Sequence, residues 1–243
     1  MSARTVLLWR HGRTAYNMAL RLQGQVDIPL DDVGHRQAAA AAAAITETVT
    51  VDAIVTSDLG RARETSAHLA DRTAHGVVVD GRLRVRGFGL WEGLTGDEIS
   101  ARWPAEYRLW RSGGDPDGVE AETRAAVAER MVAAITDHAD RLEPSQTLVV
   151  VSHGAAITLA VTAMLGMDTS WRGLAGLTNA HWSELRRNPS GVQPGWRLFG
   201  HDLGPSTSID EWNAGTALAA VAAPSTADDG PVGERVGASG PVA

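Results

Sequence analysis

The chain has 243 residues, of which 44% are hydrophobic and 21% charged, enough for one sizeable globular core. Its formal net charge of −7 argues against nucleic acid or an anionic membrane surface as a partner, because both are themselves negative. The absence of cysteine excludes disulfides, thiolate nucleophiles and thiolate metal ligands. The apolar run near the start is too short for a signal peptide, and no run is long enough to span a membrane. We therefore expect a cytoplasmic protein.

Short apolar runs rich in β-branched residues predict the strands of one sheet. These runs are apolar throughout instead of alternating, which is typical of strands covered on both faces. The predicted strands are Thr5–Trp9, Ala53–Thr56, Gly76–Val79 and Thr147–Val151.

Helical stretches lie between these strands. They are Val33–Ile45, Arg61–Arg72, Glu122–Leu142 and Ala155–Leu165, and Asp31 and Asp32 are available as N-terminal caps of the first. Strands that alternate with helices predict an α/β fold, a three-layer sandwich around a mostly parallel central sheet.

The composition divides the chain into a catalytic domain, residues 1–205, and a tail. Residues 86–120 within the domain are expected to form an insertion over the active site, at one end of the sheet. Residues 206–243 are of low complexity and rich in Ala, Gly, Pro, Ser and Thr, and they contain few large apolar side chains. Because such a segment buries too little surface to offset its ordering entropy, we expect it to be disordered.

Basic side chains follow three of the predicted strands. Arg10 and His11 come directly after the first strand, Arg61 follows the second after a short turn, and His153 comes soon after Thr147–Val151. In an open parallel sheet the carboxyl ends of the strands line the ligand crevice. Two imidazoles and two guanidiniums would form a pocket for a dianion there, because Arg suits bidentate phosphate contacts.

A histidine among arginines has a specific chemical use. A neutral imidazole can attack phosphorus and hold the phosphoryl group as phosphohistidine, while the cations stabilise the transferring oxygens. Taken singly, each histidine is more often a structural residue. A metal site at His11 and His153 is the other reading, but no third ligand stands at a telling position. We therefore predict a site with no metal and no cofactor.

The sequence motifs resemble those of the histidine phosphatase (phosphoglycerate mutase-like) superfamily, in the family's order. The matching segments are Leu8–Asn17 (LWRHGRTAYN), Leu22–Gly24 (LQG), Asp27–Leu30 (DIPL), Ser57–Ala62 (SDLGRA), Gly89–Thr95 (GLWEGLT) and Ser152–Gly154 (SHG). The resemblance implies a phosphoglycerate mutase-like fold. The closer likeness is to the compact actinobacterial phosphatases of the superfamily, which include glucosyl-3-phosphoglycerate phosphatases.

The same resemblance assigns roles to residues of this chain. It implies that His11 is the nucleophile and that Arg10, Arg61 and His153 bind the phosphoryl group. It also implies that Asn17, Gln23 and the amide of Gly154 face the phosphate. For Asn17, a helix cap is the alternative role.

One position departs from the family pattern. The superfamily usually has a Glu four residues before the first Gly of the Gly-x-Trp-Glu-Gly motif, where it protonates the leaving alcohol, but this chain has Val85. Glu120 and Glu122 are candidate substitutes. Alternatively, the substrate has a leaving group that needs little protonation, or the chain only binds phosphorylated ligands.

These features predict a phosphatase that hydrolyses a small phosphomonoester, of the sugar phosphate or phosphoglycerate type, through phosphohistidine. The expected partner is thus a small phosphorylated metabolite. A mutase-type phosphotransferase and a phosphate-binding relative without the acid are the alternatives. The sequence leaves the physiological substrate open, as well as the oligomeric state, for which a homodimer is one option.

Overall fold

The computed structural model describes residues 3–214. Its six strands are β1 (Thr5–Arg10), β2 (Ala53–Thr56), β3 (Val77–Val79), β4 (Thr147–Ser152), β5 (Trp182–Arg187) and β6 (Trp196–Leu203). They form one sheet in the order β3-β2-β4-β1-β5-β6. The β1–β4, β2–β4 and β2–β3 pairs are parallel, and the β1–β5 and β5–β6 pairs are antiparallel.

Eight helices are described. They are α1 (Ala15–Met18), α2 (Asp32–Thr48), α3 (Gly60–Thr73), α4 (Gly96–Arg102), α5 (Pro104–Arg111), α6 (Arg124–Ala139), α7 (Gly154–Met164) and α8 (Ile209–Asn213). Within residues 3–214, no helix combines the length and the apolar character that crossing a bilayer requires.

The core lies on both faces of the sheet because successive side chains of each strand point to opposite sides. Val6 and Leu8 of β1 pack in the cluster formed with α6 and α7, whereas Leu7 and Trp9 pack in the cluster formed with α2 and α3. This arrangement confirms the predicted three-layer α/β sandwich.

The predicted strands and helices are found with small shifts at their ends, and two strands were missed. Strands β5 and β6 contain several partly exposed polar residues, so they lack the uninterrupted apolar run of the buried strands. Helix α6 begins after the position expected for it, because the Thr123 side chain accepts a hydrogen bond from the Ala126 amide and caps the helix there. Glu122 therefore lies before the helix.

The expected start of the tail at residue 206 is too early. Helix α8 follows that point, and its Trp212 is only 7% exposed. A single large aromatic residue therefore anchors a stretch that composition alone assigns to the tail. The rest of the predicted tail, residues 215–243, lies outside the described residues.

A close backbone contact fixes the loop that follows β1. A Cβ atom on Gly12 would lie 2.4 Å from the carbonyl oxygen of Gly34, and one on Gly34 would lie 2.1 Å from the carbonyl oxygen of Arg13. Only glycine allows this approach, and it brings the first turn of α2 against the loop that carries His11. The N-cap of α2 is Asp31, as predicted, and its side chain accepts a hydrogen bond from the Gly34 amide.

Candidate active site

The carboxyl ends of β1, β2 and β4 open into one cavity of about 380 Å³. These three strands are neighbours in the sheet, so the residues that follow them meet at one edge. All seven residues predicted to be catalytic or substrate-binding line this cavity: Arg10, His11, Asn17, Gln23, Arg61, His153 and Gly154.

His11 is held as a neutral imidazole with one nitrogen free. Its Nδ1 lies 2.6 Å from the carbonyl oxygen of Gly12, so Nδ1 carries the proton and donates it to that oxygen. Nε2 therefore keeps its lone pair. Burial, followed by the positive charges of Arg61 and Arg10, holds the pKa of His11 well below the ordinary histidine value. A nucleophile for phosphorus requires this neutral form.

His153 and Arg61 hold each other in place. The Nε of Arg61 donates to Nδ1 of His153 at 3.3 Å, so the proton of this ring lies on Nε2, 3.0 Å from the Ser57 hydroxyl. The His11 and His153 rings are 5.1 Å apart between centroids. Burial and then the charge of Arg61 lower the pKa of His153 strongly, so it too is neutral. Because both its ring nitrogens have protein partners, its predicted contact with the phosphoryl group stays a prediction.

The two predicted arginines keep their charge although they are buried in the pocket wall. Burial lowers the pKa of Arg10 and of Arg61 to about 10, still well above neutral pH. Arg61 donates to the carbonyl oxygens of Val26 and Gly24 at 2.8 and 2.9 Å, which fixes its guanidinium plane. Arg10 donates from Nη1 to the Leu177 carbonyl, and its buried Nε has no hydrogen-bond partner in the described part of the chain.

The side-chain amide of Asn17 is oriented by its neighbours. The Oδ1 atom accepts hydrogen bonds from the backbone and hydroxyl of Thr14, each at 3.1 Å, and from Nδ2 of Asn179 at 3.2 Å. Nδ2 of Asn179 also donates to the carbonyls of His11 and Gly12, so its identity as the donor is fixed. With Oδ1 occupied, Asn17 presents its NH₂ group as a donor to the pocket. Asn17 thus serves as both a capping residue and a pocket residue.

Gly154 is the first residue of α7, where backbone amides have no partner within the helix. The positive end of the helix dipole therefore lies at the cavity, where it favours an anion.

Gln23 lies on the opposite loop, and its buried Oε1 has no partner within residues 3–214. A rotation of that amide would present its NH₂ group at the same point.

The usual acid position is apolar in this cavity. Val85 lines the wall and packs with Leu59 and Phe88. Glu92 is not in the wall; its Oε1 accepts the Gln25 and Phe88 amides, both at 2.9 Å, and so joins two loops. The motif's own carboxylate therefore has a structural task.

Neither candidate substitute acid reaches the cavity wall. Glu120 is exposed, with a backbone φ of 58°. Glu122 forms an ion pair with Arg130 at 2.8 Å and accepts the Gly87 amide at 2.7 Å. Burial alone would raise the pKa of Glu122, but these hydrogen bonds and the charges of Arg130 and Arg86 lower it. A carboxyl group that is ionised and already paired is a poor proton donor.

Sequence reasoning missed an outer set of arginines. Besides Arg10 and Arg61, the cavity is lined by Arg21, Arg86, Arg124 and Arg172, and no Asp or Glu stands among its described lining residues. Three of the four come from residues 86–124 and 172, far along the chain from His11. The one local signal was Arg86, which follows directly after the vacant acid position.

The expected insertion contributes to the cavity wall through Phe88 and Trp110. Across the described residues, no three His, Asp or Glu side chains are grouped so that they could hold a metal ion.

The fold and the site define a phosphatase with a histidine nucleophile. The chain matches the family model of the histidine phosphatase superfamily (branch 1) over residues 6–196. It therefore belongs to that superfamily and is a hydrolase that acts on phosphomonoesters.

Similar proteins include phosphatases and mutase-like members. The chain is 38% identical over 194 residues to glucosyl-3-phosphoglycerate phosphatase from Mycobacterium tuberculosis, covering 76% of this chain and 86% of that protein. It is 36% identical over 167 residues to a probable phosphoglycerate mutase from Cronobacter sakazakii, covering 67% and 75%. The structure of a mycobacterial glucosyl-3-phosphoglycerate phosphatase complexed with VO3 matches with a TM-score of 0.72 at 35% identity, covering 82% of this chain and 99% of that one.

We predict that His11 and His153 stay neutral when the pH falls below about 6.5, where a free imidazole takes up its proton. Nitrogen NMR in phosphate-free buffer should show the Nδ1-protonated tautomer for His11 and the Nε2-protonated tautomer for His153 at pH 6. Because the unfolded chain binds protons that the folded chain does not, the free energy of unfolding should fall as the pH drops below about 6.5. A His11 ring that takes up a proton above pH 6 would contradict the assignment.

Proposed function

We propose that this phosphatase hydrolyses phosphomonoesters whose alcohol part carries an anionic group of its own, as in the phosphoglycerates. The observation that carries the proposal is the charge of the cavity wall. Its lining within residues 3–214 contains six arginines and no Asp or Glu. Two arginines and two helix or loop amides suffice for one phosphoryl group. The other four guanidiniums lie where the rest of the substrate would bind.

Among the outer arginines, Arg21 is paired with Glu98 at 3.1 Å, whereas Arg86 and Arg124 are held in place with less neutralisation. Arg86 donates to Asp115 at 2.9 Å, and the Arg124 Nε is 4.0 Å from the same carboxylate. One carboxylate thus serves two cations. Burial lowers the pKa of Arg124, and the positive charges of Arg86 and Arg172 lower it further, while Asp115 raises it. An anionic group on the substrate would offset these positive charges.

Arg86 is the most buried of the four outer arginines. It is 2% exposed, donates from Nε to the Glu122 carbonyl at 2.6 Å, and lies over the Phe88 ring. Its hydrogen bonds within the described residues use Nε and Nη2, which leaves Nη1 for a ligand. Because its position is fixed before binding, it loses little entropy when it contacts a carboxylate.

The relatives favour a particular substrate of this class. Glucosyl-3-phosphoglycerate, named for the Mycobacterium tuberculosis relative, combines a phosphoryl group with a glycerate carboxylate. The inner arginines would bind its phosphoryl group and the outer ones its carboxylate. Trp110 and Trp171 also line the cavity, where they offer faces for a sugar ring.

The reaction then proceeds in two displacements. Nε2 of His11 attacks phosphorus, the ester P–O bond breaks, and the alcohol leaves with its electron pair and takes a proton from solvent. Water next attacks the phosphorus of the phosphohistidine and the P–N bond breaks. The neutral imidazole is regenerated, and inorganic phosphate, which keeps the protons of the water, is released. With valine at the usual acid position, the arginines stabilise the leaving oxygen electrostatically in place of proton transfer. The charge for this chemistry comes from side chains, so turnover should continue in a strong chelator.

A mutase would return the phosphoryl group to an alcohol instead of passing it to water. It would therefore interconvert 2- and 3-phosphoglycerate faster than it releases phosphate. Similarity to a probable phosphoglycerate mutase makes this the second candidate. Both products can be followed in one assay.

We predict that 3-phosphoglycerate and glucosyl-3-phosphoglycerate are hydrolysed with a higher kcat/KM than glycerol 3-phosphate, which lacks the carboxylate. A charged hydrogen bond contributes about 1.5–3 kcal/mol, so the preference should be about tenfold or more. Arg124→Gln should reduce the preference by raising KM for the carboxylates alone. The matched control is Arg111→Gln, an exposed arginine outside the cavity wall. Equal kcat/KM values for all three esters would contradict the proposal.

We predict that Val85→Glu speeds the hydrolysis of alkyl phosphates, because the new carboxyl group can protonate the leaving alcohol. General acid catalysis is worth about 10²–10⁴-fold, although the nearby arginines will favour the ionised carboxylate and move the gain toward lower pH. Nitrophenyl phosphate, whose phenolate leaves unaided, should gain much less. The control is Val85→Gln, because the glutamine side chain has nearly the same shape as glutamate but cannot act as a general acid. An equal gain in both variants would show that proton transfer is not the cause.

A further inference from the structure

Two tryptophans from distant parts of the chain hold the turn that lies against the catalytic loop. The indole nitrogen of Trp9 donates to the carbonyl of Ala180 at 2.8 Å, and that of Trp212 donates to the carbonyl of Asn179 at 2.9 Å. Ala180 between them has a φ of 58°, a left-handed conformation that costs energy for a residue with a Cβ atom. The two indole donors keep the turn in that conformation.

This turn contacts the catalytic loop through its backbone and its side chain. The Ala180 amide donates to the carbonyl of His11 at 3.1 Å. The Asn179 side chain donates to His11 and Gly12, and it also occupies Oδ1 of Asn17. A shift of Asn179 would therefore remove one of the three hydrogen bonds that hold Oδ1 of Asn17, leaving only the two from Thr14. The Asn17 amide, which presents its NH₂ group to the pocket, would then be held less firmly.

Helix α8, which carries Trp212, is itself tied to the loop after β1. Gln37 accepts the Arg13 amide at 3.0 Å and donates to the carbonyl of Trp212 at 2.9 Å. Arg13 donates to the carbonyl of Asn213 at 2.8 Å. Two successive carbonyls at the end of α8 thus accept hydrogen bonds from Gln37 and from Arg13, and Arg13 lies two residues after His11.

We propose that Trp212 is a positioning residue for phosphate binding, acting through the Asn179–Ala180 turn on Asn17 and His11. This proposal concerns the phosphoryl subsite and does not depend on which alcohol the substrate carries. It also gives a part in catalysis to helix α8, which lies after residue 205, where composition alone ends the catalytic domain. Its geometry rests on two hydrogen bonds, from the Trp212 indole to the Asn179 carbonyl and from the Asn179 side chain to Asn17. The proposal adds a third, from the Asn17 NH₂ group to the bound phosphoryl group.

The test is Trp212→Phe, which retains a ring to pack against His181 and removes the N–H donor. The dissociation constant of inorganic phosphate, measured by calorimetry, should rise about two- to tenfold, the range expected for one lost hydrogen bond. The kcat/KM for nitrophenyl phosphate should fall by a similar factor. Ile209→Ala is the matched control, because Ile209 is exposed in the same helix and should leave both values unchanged.

A double-mutant cycle separates positioning from stability. If Trp212 acts through Asn17, then Trp212→Phe should change phosphate affinity by less than about twofold in an Asn17→Ala background. A fall in melting temperature with unchanged phosphate affinity, or losses that multiply in the double variant, would overturn the proposal. Because neither readout uses a carboxylate substrate, failure here is distinct from failure of the proposed specificity.

A measurement on the unmodified enzyme covers the case in which Trp212→Phe does not fold. Phosphate binding should slow hydrogen exchange of the Trp212 indole proton, because a ligand that needs the held loop also stabilises it. Trp196, in the edge strand β6, is the reference indole and should not respond. Equal responses of the two, or none at Trp212, would overturn the proposal.

Discussion

The hydrogen bond from Nδ1 of His11 to the carbonyl oxygen of Gly12 is the contact on which the rest of the site depends. It selects the tautomer and leaves Nε2 unprotonated, as the proposed attack on phosphorus requires. The Gly12 peptide can serve as acceptor only if it is fixed, and several elements fix it. Gly34 packs on it, the Thr65 hydroxyl accepts its amide at 3.1 Å, and Asn179 donates to its carbonyl. Helices α2 and α3 and the turn before β5 thus converge on one residue, Gly12, and fix the peptide units on both sides of it.

The same pocket combines buried neutral imidazoles with buried cations, and the two depend on each other. Burial, followed by the positive charges of Arg61 and Arg10, lowers the pKa of His11 and keeps it from taking up a proton. Burying arginines costs solvation free energy, which the phosphoryl dianion of the substrate offsets when it binds. In the proposed function, an anionic group on the alcohol part of the ligand would interact in the same way with the four outer arginines. An uncharged alcohol would leave their unpaired N–H groups to water, whereas a carboxylate would pair with them.

The inner site was predictable from sequence because each of its residues follows a recognisable strand. An uninterrupted apolar run such as Thr147–Val151 marks a buried parallel strand, and the next polar residues must then stand at its carboxyl end. Arg124 and Arg172 do not follow a strand of this kind. Their place depends on how an irregular segment and the first turn of α6 fold over the sheet, which no local pattern encodes.

The missed features have local physical causes as well. The sequence made Glu122 a candidate for the missing general acid. In the structure, helix α6 is capped by Thr123, the next residue, and Glu122 pairs with Arg130. Trp212 was assigned to the tail because composition averages over a window, and one buried indole does not change the average. A large aromatic residue within a segment of small residues is the signal that could have identified α8.

The central claim is that the neutral Nε2 of His11 forms a covalent bond to phosphorus. The most direct measurement is a rapid alkaline quench of the enzyme during turnover of a labelled phosphomonoester, followed by peptide mapping and mass spectrometry. The account predicts a phosphoryl group on His11 that appears within one turnover and is absent from His11→Ala. A phosphoryl group on Ser57 or on His153 alone would contradict it. So would steady release of phosphate by the His11→Ala variant at the rate of the unmodified enzyme.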